Sequence, residues 1–206
     1  MALIRCIECG EVLSDKADKC PKCGCPTKYM VPIGVNLGLP SGTIWAENNI
    51  GATQGGRGYF YAWGETTIRG DFRKESYLYL NTPKILSIKN DAVAAYYGNG
   101  WQMPTKEDFE ELINCCEWEL KFYYGGTRPY YEVNSYVTGE RIYISAAGYL
   151  EGDNLYEMDK GYYWTSSVFD SQNAWGLTFG SSNNIGLNKF ARYCGLCIRP
   201  VWKPQQ

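Results

Sequence analysis

The sequence predicts an α+β domain preceded by a short metal-held segment, and three observations carry that prediction. Between residues 31 and 203, short alternating runs of strand character are spaced along the chain. Among them stands one capped helical period, at 105–116. Ahead of both, four cysteines in two Cys-x-x-Cys pairs fall within the first 27 residues. A chain of 206 residues has room for one sizeable domain and a small appendage. Apolar residues make up 45%, an ordinary globular share.

Composition excludes several function classes. Net charge is −2 with no long charge run, which supplies no bulk attraction for nucleic acid or an anionic membrane. No apolar run approaches the roughly 18 residues of a spanning helix. The N-terminus carries no secretory apolar region, so the expected location is cytoplasmic, with a phage particle as the other setting. Histidine is absent, which removes Ser-His-Asp and Cys-His nucleophile activation.

Residues 1–27 form the first unit. Cys6-x-x-Cys9 is followed ten residues later by Cys20-x-x-Cys23, and Gly10 and Gly24 follow the pairs. Each pair turns two thiolates to one side of a tight loop, and a glycine there can take positive φ. Two such turns make a closed tetrahedral S₄ site, the geometry preferred by structural Zn²⁺, with iron or a disulfide pair as alternatives. So short a segment lacks a core, and the metal supplies its folding energy. The segment resembles the small zinc-ribbon modules. Its lysines and Arg5 are matched by acids, so no nucleic-acid partner is expected and the ribbon reads as structural or protein-docking. Cys25 is a spare thiol.

The second unit spans 31–203. Thr43–Ala46 and Tyr59–Trp63 read as strands, with Gln54–Gly58 as a loop between them. Asp71–Asn90 is an irregular excursion and Asp91–Tyr97 a short helix. Thr105 is a good N-cap, Glu107 and Asp108 suit the positive end of the helix dipole, and Phe109, Leu112, Ile113 and Cys116 make one buried stripe. Glu117–Tyr123 has no decided period. Pro129–Thr138 and Arg141–Ser145 read as a hairpin turning at Thr138-Gly139-Glu140, with Tyr131, Val133, Ser135 and Val137 on one face. Glu151–Lys160 reads as an acidic loop, and Cys197–Trp202 as the last strand.

Gly161–Trp202 organises the rest. It opens on Tyr162-Tyr163-Trp164 and closes on Ile198-Arg199-Pro200-Val201. Between them only Leu177-Thr178-Phe179 alternates; the remainder mixes Ser, Asn, Gly and aromatics without a period. Rigid aromatics with small adaptable polar residues are the composition of a recognition surface.

Three blocks carry a family resemblance: Leu37-Gly38-Leu39-Pro40-Ser41-Gly42-Thr43-Ile44-Trp45-Ala46, Trp101-Gln102-Met103-Pro104-Thr105, and Gly161–Ser167 together with Ile198-Arg199-Pro200-Val201. Over roughly 31–203 the chain resembles the bacterial paralogous domains related to the formylglycine-generating-enzyme type of C-type lectin fold. The resemblance implies an α+β C-type lectin-like domain. It implies C-terminal loops on an antiparallel sheet, as in the variable proteins of diversity-generating retroelements. Val168–Asn173 and Asn183–Leu196 occupy the diversified place, with Ala174, Leu177, Phe179, Arg192 and Gly195 as framework residues inside it. The expected function is a non-enzymatic module for a protein or glycan ligand. The candidate contacts are Phe169, Asp170, Asn173, Trp175, Asn183, Asn184, Leu187, Asn188, Lys189, Phe190 and Tyr193; the candidate metal ligands are Cys6, Cys9, Cys20 and Cys23. Two alternatives stand beside this. Sulfatase-activating relatives bind copper through a C-terminal cysteine pair, and Cys194 and Cys197 lie in that neighbourhood, but at Cys-x-x-Cys spacing and without the surrounding motif; they read first as free thiols or a disulfide. The other is a structural domain that docks through its ribbon. Calcium-dependent sugar binding is not implied, because the Glu-Pro-Asn and Trp-Asn-Asp signatures are absent.

Overall fold

The computed structural model describes residues 3–6, 8–14, 17–26, 31–32, 34–52, 56–78, 86–98, 100–123, 126, 128–180 and 184–204, with backbone alone at 3–5 and 31–32. The fold is β-rich α+β, with two α-helices among the described residues. None of the described helices is long and apolar enough to cross a membrane.

The ribbon sheet has the order β2-β1-β3, from Leu3–Arg5 (β1), Val12–Ser14 (β2) and Val31–Pro32 (β3). The rest of the chain is built on small antiparallel sheets. One joins Val35–Asn36 (β4) and Ile44–Trp45 (β5) to Trp101–Gln102 (β6) through the last strand, Val201–Trp202 (β15). The expected strand over Cys197–Trp202 is thus regular only at its end. Between β5 and β6 lies helix α1, Ala92–Tyr97, capped by Asp91, whose carboxylate accepts from the N–H of Val93 and Ala94.

Helix α2, Lys106–Cys115, follows β6. Thr105 and Asp108 cap each other reciprocally, Thr105 Oγ1 accepting from Asp108 N at 3.2 Å and Asp108 Oδ2 from Thr105 N at 2.6 Å. Its stripe is buried as expected at Phe109, Leu112 and Cys116.

Next comes a three-stranded meander: Cys116–Phe122 (β7), Pro129–Ser135 (β8) and Arg141–Ser145 (β9). Burial along β8 alternates strictly, with Tyr131, Val133 and Ser135 inward. Val137, expected on that face, lies beyond the strand end and is 76% exposed. Glu117–Tyr123, undecided from its pattern, is strand through Phe122, within β7. The expected acidic loop at 151–160 contains half of a hairpin, Tyr149–Glu151 (β10) with Asn154–Tyr156 (β11).

The central sheet has the order β12-β13-β14: Gly161–Val168, Asn173–Phe179 and Gly186–Ala191. Gly186–Ala191 is a strand although its sequence shows no period, where the resemblance implied loops. It pairs with β13 over six residues, so backbone pairing to a neighbour holds it extended despite its pattern. The sheet is covered on both faces. Tyr163, Leu177 and Phe179 face one core, with Trp45, Phe109, Tyr131, Val133 and Ile144. Tyr162, Trp164 and Ala174 face a second, with Ile50, Tyr61, Trp63, Val93 and Met103. Burial on both faces explains why β12 shows no alternation. The expected strand Tyr59–Trp63 is instead an irregular segment bridged to Leu196 through Tyr61, with hydrogen bonds both ways at 3.0 and 3.1 Å. Backbone and side chain lock it onto β12, Trp164 Nε1 donating to the Tyr61 carbonyl at 2.7 Å and Trp63 Nε1 to the Thr165 carbonyl at 2.8 Å.

Candidate functional site

The four ribbon cysteines converge. Their Sγ atoms all lie within 4.8 Å of one another, with Cys6–Cys23 at 3.4 Å and Cys9–Cys20 at 3.6 Å. Two identical turns bring this about. In each, the N–H four residues on returns to the first cysteine's carbonyl, Gly10 to Cys6 and Gly24 to Cys20, both at 2.9 Å. The first cysteine's own N–H then reaches the carbonyl five residues on, at Glu11 and Cys25. Gly10 and Gly24 take φ of 73° and 79°, and a Cβ at either would meet no atom within 4 Å. Conformation, not space, therefore requires glycine there. Four sulfurs placed tetrahedrally about 2.3 Å from one ion stand about 3.8 Å apart, which this cluster matches. Backbone N–H groups from Cys9 and Glu8 aimed at the Cys6 sulfur hold its thiol down to about 6, while burial and the neighbouring sulfurs push Cys9 and Cys23 up, so the four thiols this close need a cation among them to ionise together. Cys25 is buried beside the cluster and outside it.

The C-terminal candidates separate into two sets. Phe169, Asp170, Asn184, Asn188 and Lys189 are exposed, and Asn173 and Trp175 half-buried. Trp175 on β13 stands opposite Lys189 on β14. The Phe169 ring meets Trp175 edge-on at 4.9 Å. Lys189 Nζ lies 5.1 Å over Phe169, and Lys106 Nζ 5.1 Å over Trp175. Lys106, on α2, was not foreseen; it is 69 residues from Trp175, and no local pattern marks that approach.

The loop 168–173 is held firmly. Asp170 Oδ1 accepts from the N–H of Gln172 and Asn173, both at 2.7 Å, and Asn173 Nδ2 donates to both carboxylate oxygens at 2.9 Å. These bonds, the Asn173 side chain first, keep the Asp170 carboxyl below its ordinary range. From beneath, Arg192 (1% exposed) donates to the carbonyls of Asp170 and Asn173 and lies 4.5 Å over the Trp63 ring.

Leu187, Phe190 and Tyr193 sit differently. Leu187 packs on the first core. The Phe190 ring packs edge-on to Tyr162 at 5.5 Å and Trp164 at 6.2 Å. It crosses Gly176, where a Cβ would come within 2.9 Å of it. Tyr193 packs on the second core, and its hydroxyl donates to Glu151 at 3.1 Å. Asn183 lies outside the described residues.

Cys194 and Cys197 are free thiols, buried in different cores. Burial pushes each up to about 12, away from the thiolate that redox or nucleophilic chemistry uses. Among the described residues, the ribbon cysteines are the one group of three or more acidic or thiol side chains placed to share a metal ion. Comparison with protein-family models, with curated proteins and with solved structures finds no match to this chain.

Proposed function

We propose that the chain is a ligand-binding module whose output is affinity, not bond-making. In this reading residues 31–203 are a C-type lectin-like domain of the formylglycine-generating-enzyme type. The surface formed by the 168–173 loop, β13 and β14 takes a protein or glycan ligand. The ribbon carries structural zinc, in keeping with its four-thiolate donor set.

One observation carries the proposal: framework and display residues interleave along the stretch that runs from the 168–173 loop through β13 and β14. Ala174, Leu177 and Phe179 are buried, as are Arg192 and Gly195 just beyond β14, while Phe169, Asp170, Asn188 and Lys189 are exposed beside Trp175. Side chains of the second kind can change without touching either core. That is what a diversified surface requires, and it supports kinship with the variable proteins of diversity-generating retroelements.

Two tests separate this from its rivals. The full chain, screened on a glycan array and against a displayed protein library, should give hits lost in Phe169→Ala and Trp175→Ala without a change in Tm. The absence of any hit that these variants lose, or loss of hits only when residues 1–27 are removed, overturns it. A neighbouring reverse-transcriptase gene with a near-copy of the segment encoding 161–200 is expected if the surface is diversified; its absence ends that part of the reading.

A further inference from the structure

A second candidate site lies away from that surface, on the outward side of the β7-β8-β9 meander. The inward positions of these strands fill the first core. On the outward side stand Tyr130, Glu132 and Tyr143, with Tyr123 just past β7. Outward positions of a one-sided sheet ordinarily go to polar residues, so three neighbouring tyrosines need a reason. A cleft of about 300 Å³ runs between them and a facing wall that includes Glu47 and Asn48. A second hollow of about 390 Å³ shares Glu47, Asn48 and Tyr143 with it.

The cleft is a built feature. Arg199, 2% exposed, lines it and ties its walls together. Its Nη1 donates to the carbonyls of Ala46 and Glu47 on one wall, and its Nη2 to Tyr143 O at 2.6 Å on the other. Its Nε is buried with no hydrogen-bond partner. Thus a buried guanidinium meets carbonyls and the Tyr163 hydroxyl, with no carboxylate in ion-pair contact among the described residues.

Geometry decides which ligand chemistry fits. Tyr123 and Tyr130 lie 4.6 Å apart at a tilt of 37°, and Tyr130 meets Tyr143 at 5.9 Å, edge to face. The rings therefore form a row along one wall, not a cage around a point, and with Arg199 beside them an alkylammonium ligand is disfavoured. Opposite the row stand acceptors and donors for hydroxyl groups. The Glu47 carboxylate is exposed and makes no ion pair among the described residues, and the Asn48 amide is beside it. We propose that this cleft binds a sugar unit, one ring face against the tyrosines and its hydroxyls on Glu47 and Asn48, the adjoining hollow taking the next unit of a glycan. The volume is at the small end of ligand sites, in keeping with one or two rings.

The test is titration of the full metal-loaded chain with glucose, galactose, mannose, N-acetylglucosamine and glucuronate, followed by saturation-transfer NMR and calorimetry. At least one sugar should bind saturably. Tyr143→Ala and Glu47→Gln should each weaken it about tenfold or more, the size of one hydrogen bond to a charged group. Tyr136→Ala, an exposed tyrosine outside the cleft, should leave it unchanged. Glu47→Gln alters one exposed side chain and keeps the test valid should Tyr143→Ala unfold. No saturable binding by any of the five sugars overturns the proposal. So does binding indifferent to both substitutions, or equal binding of benzoate, which has the flat ring without the hydroxyls. The cleft shares no lining residue with the β13–β14 surface, so the two readings fail separately.

Discussion

The side chain of Arg192 donates to the main-chain carbonyl of Asp170, joining a residue 1% exposed to one on the surface. The bond matters because the loop it holds makes few contacts with either core. A second donated bond, to Asn173 O at 3.3 Å, and the Trp63 ring complete the seat of the guanidinium. Arg192→Ala takes the donor from the Asp170 carbonyl and leaves Trp63 bare, while Asn173 O keeps the N–H of Phe169 and Asp170. Urea unfolding should show a loss of about 3 kcal/mol, in the range for breaking a buried network around one charged donor. Arg192→Lys should recover less than half, because an ammonium lacks the fork that reaches both carbonyls. A loss under about 0.5 kcal/mol in Arg192→Ala would show that the loop stands without it.

Phe169 and Phe190 are both aromatic, both in the C-terminal stretch, and should behave oppositely. Phe169 is 43% exposed, whereas Phe190 lies across Gly176 against Tyr162 and Trp164. Phe190→Ala should cost about 2 kcal/mol, less than a fully buried phenylalanine. Phe169→Ala should cost less than about 1 kcal/mol and act on binding instead. Paired thermal melts and binding curves distinguish them, and equal losses of Tm would place Phe169 in the core as well.

Gly176 is what lets Phe190 lie there. Its Cβ would also come 2.8 Å from Tyr163 O, so Gly176→Ala must push either the ring or β12 away. A loss of about 1–3 kcal/mol is expected from this overpacking. Near-UV circular dichroism should report the disturbed aromatic contacts, and an unchanged spectrum with unchanged stability would mean that the strands yield freely.

Local chemistry was legible in the sequence wherever a short stretch carries its own reason. The Thr105 cap, the Phe109–Leu112–Cys116 stripe, the hairpin at 129–145 and both cysteine turns are of that kind. What was not legible depends on partners far along the chain. Gly186–Ala191 lacks a period because its extension comes from pairing with β13. Tyr59–Trp63 is an aromatic and apolar run without being a strand, since one bridge at Tyr61 and hydrogen bonds with Trp164 and Thr165 carry it instead. Within the recognition surface, exposed Lys189 and core-packed Phe190 are adjacent in sequence, and only the pairing of β14 with β13 separates their roles. The tyrosine cleft was missed because its walls are Tyr130 and Tyr143 on one side and Glu47 on the other, more than 80 residues apart.

The buried thiols predict an alkaline weakness. Burial raises Cys194 and Cys197 to about 12 from an ordinary 9.0, and Tyr61 to about 12 from 10.0. Between pH 9 and 12 the unfolded chain sheds these protons while the folded chain keeps them. The unfolded state then binds fewer protons, so stability falls as pH rises, and the contribution is fully present below pH 9. Urea midpoints measured from pH 8 to 11 should decline, and Cys197→Ala should make the decline shallower. A parallel slope in that variant would remove Cys197 as a cause.

Metal removal should unfold the ribbon and leave the main domain standing. The ribbon's described core is Cys6, Leu13, Cys20 and Cys25, too small to fold without the cross-link an ion supplies between Cys6, Cys9, Cys20 and Cys23. The main domain has two extensive cores of its own. The purified chain should therefore carry one equivalent of zinc by elemental analysis, released by a thiol-reactive mercurial and absent from Cys20→Ser. Amide exchange after release should accelerate across 3–26 and stay slow in β12 and β13. Iron in place of zinc would correct the metal without touching the site; four thiols modified by iodoacetamide in the untreated protein would remove the site itself.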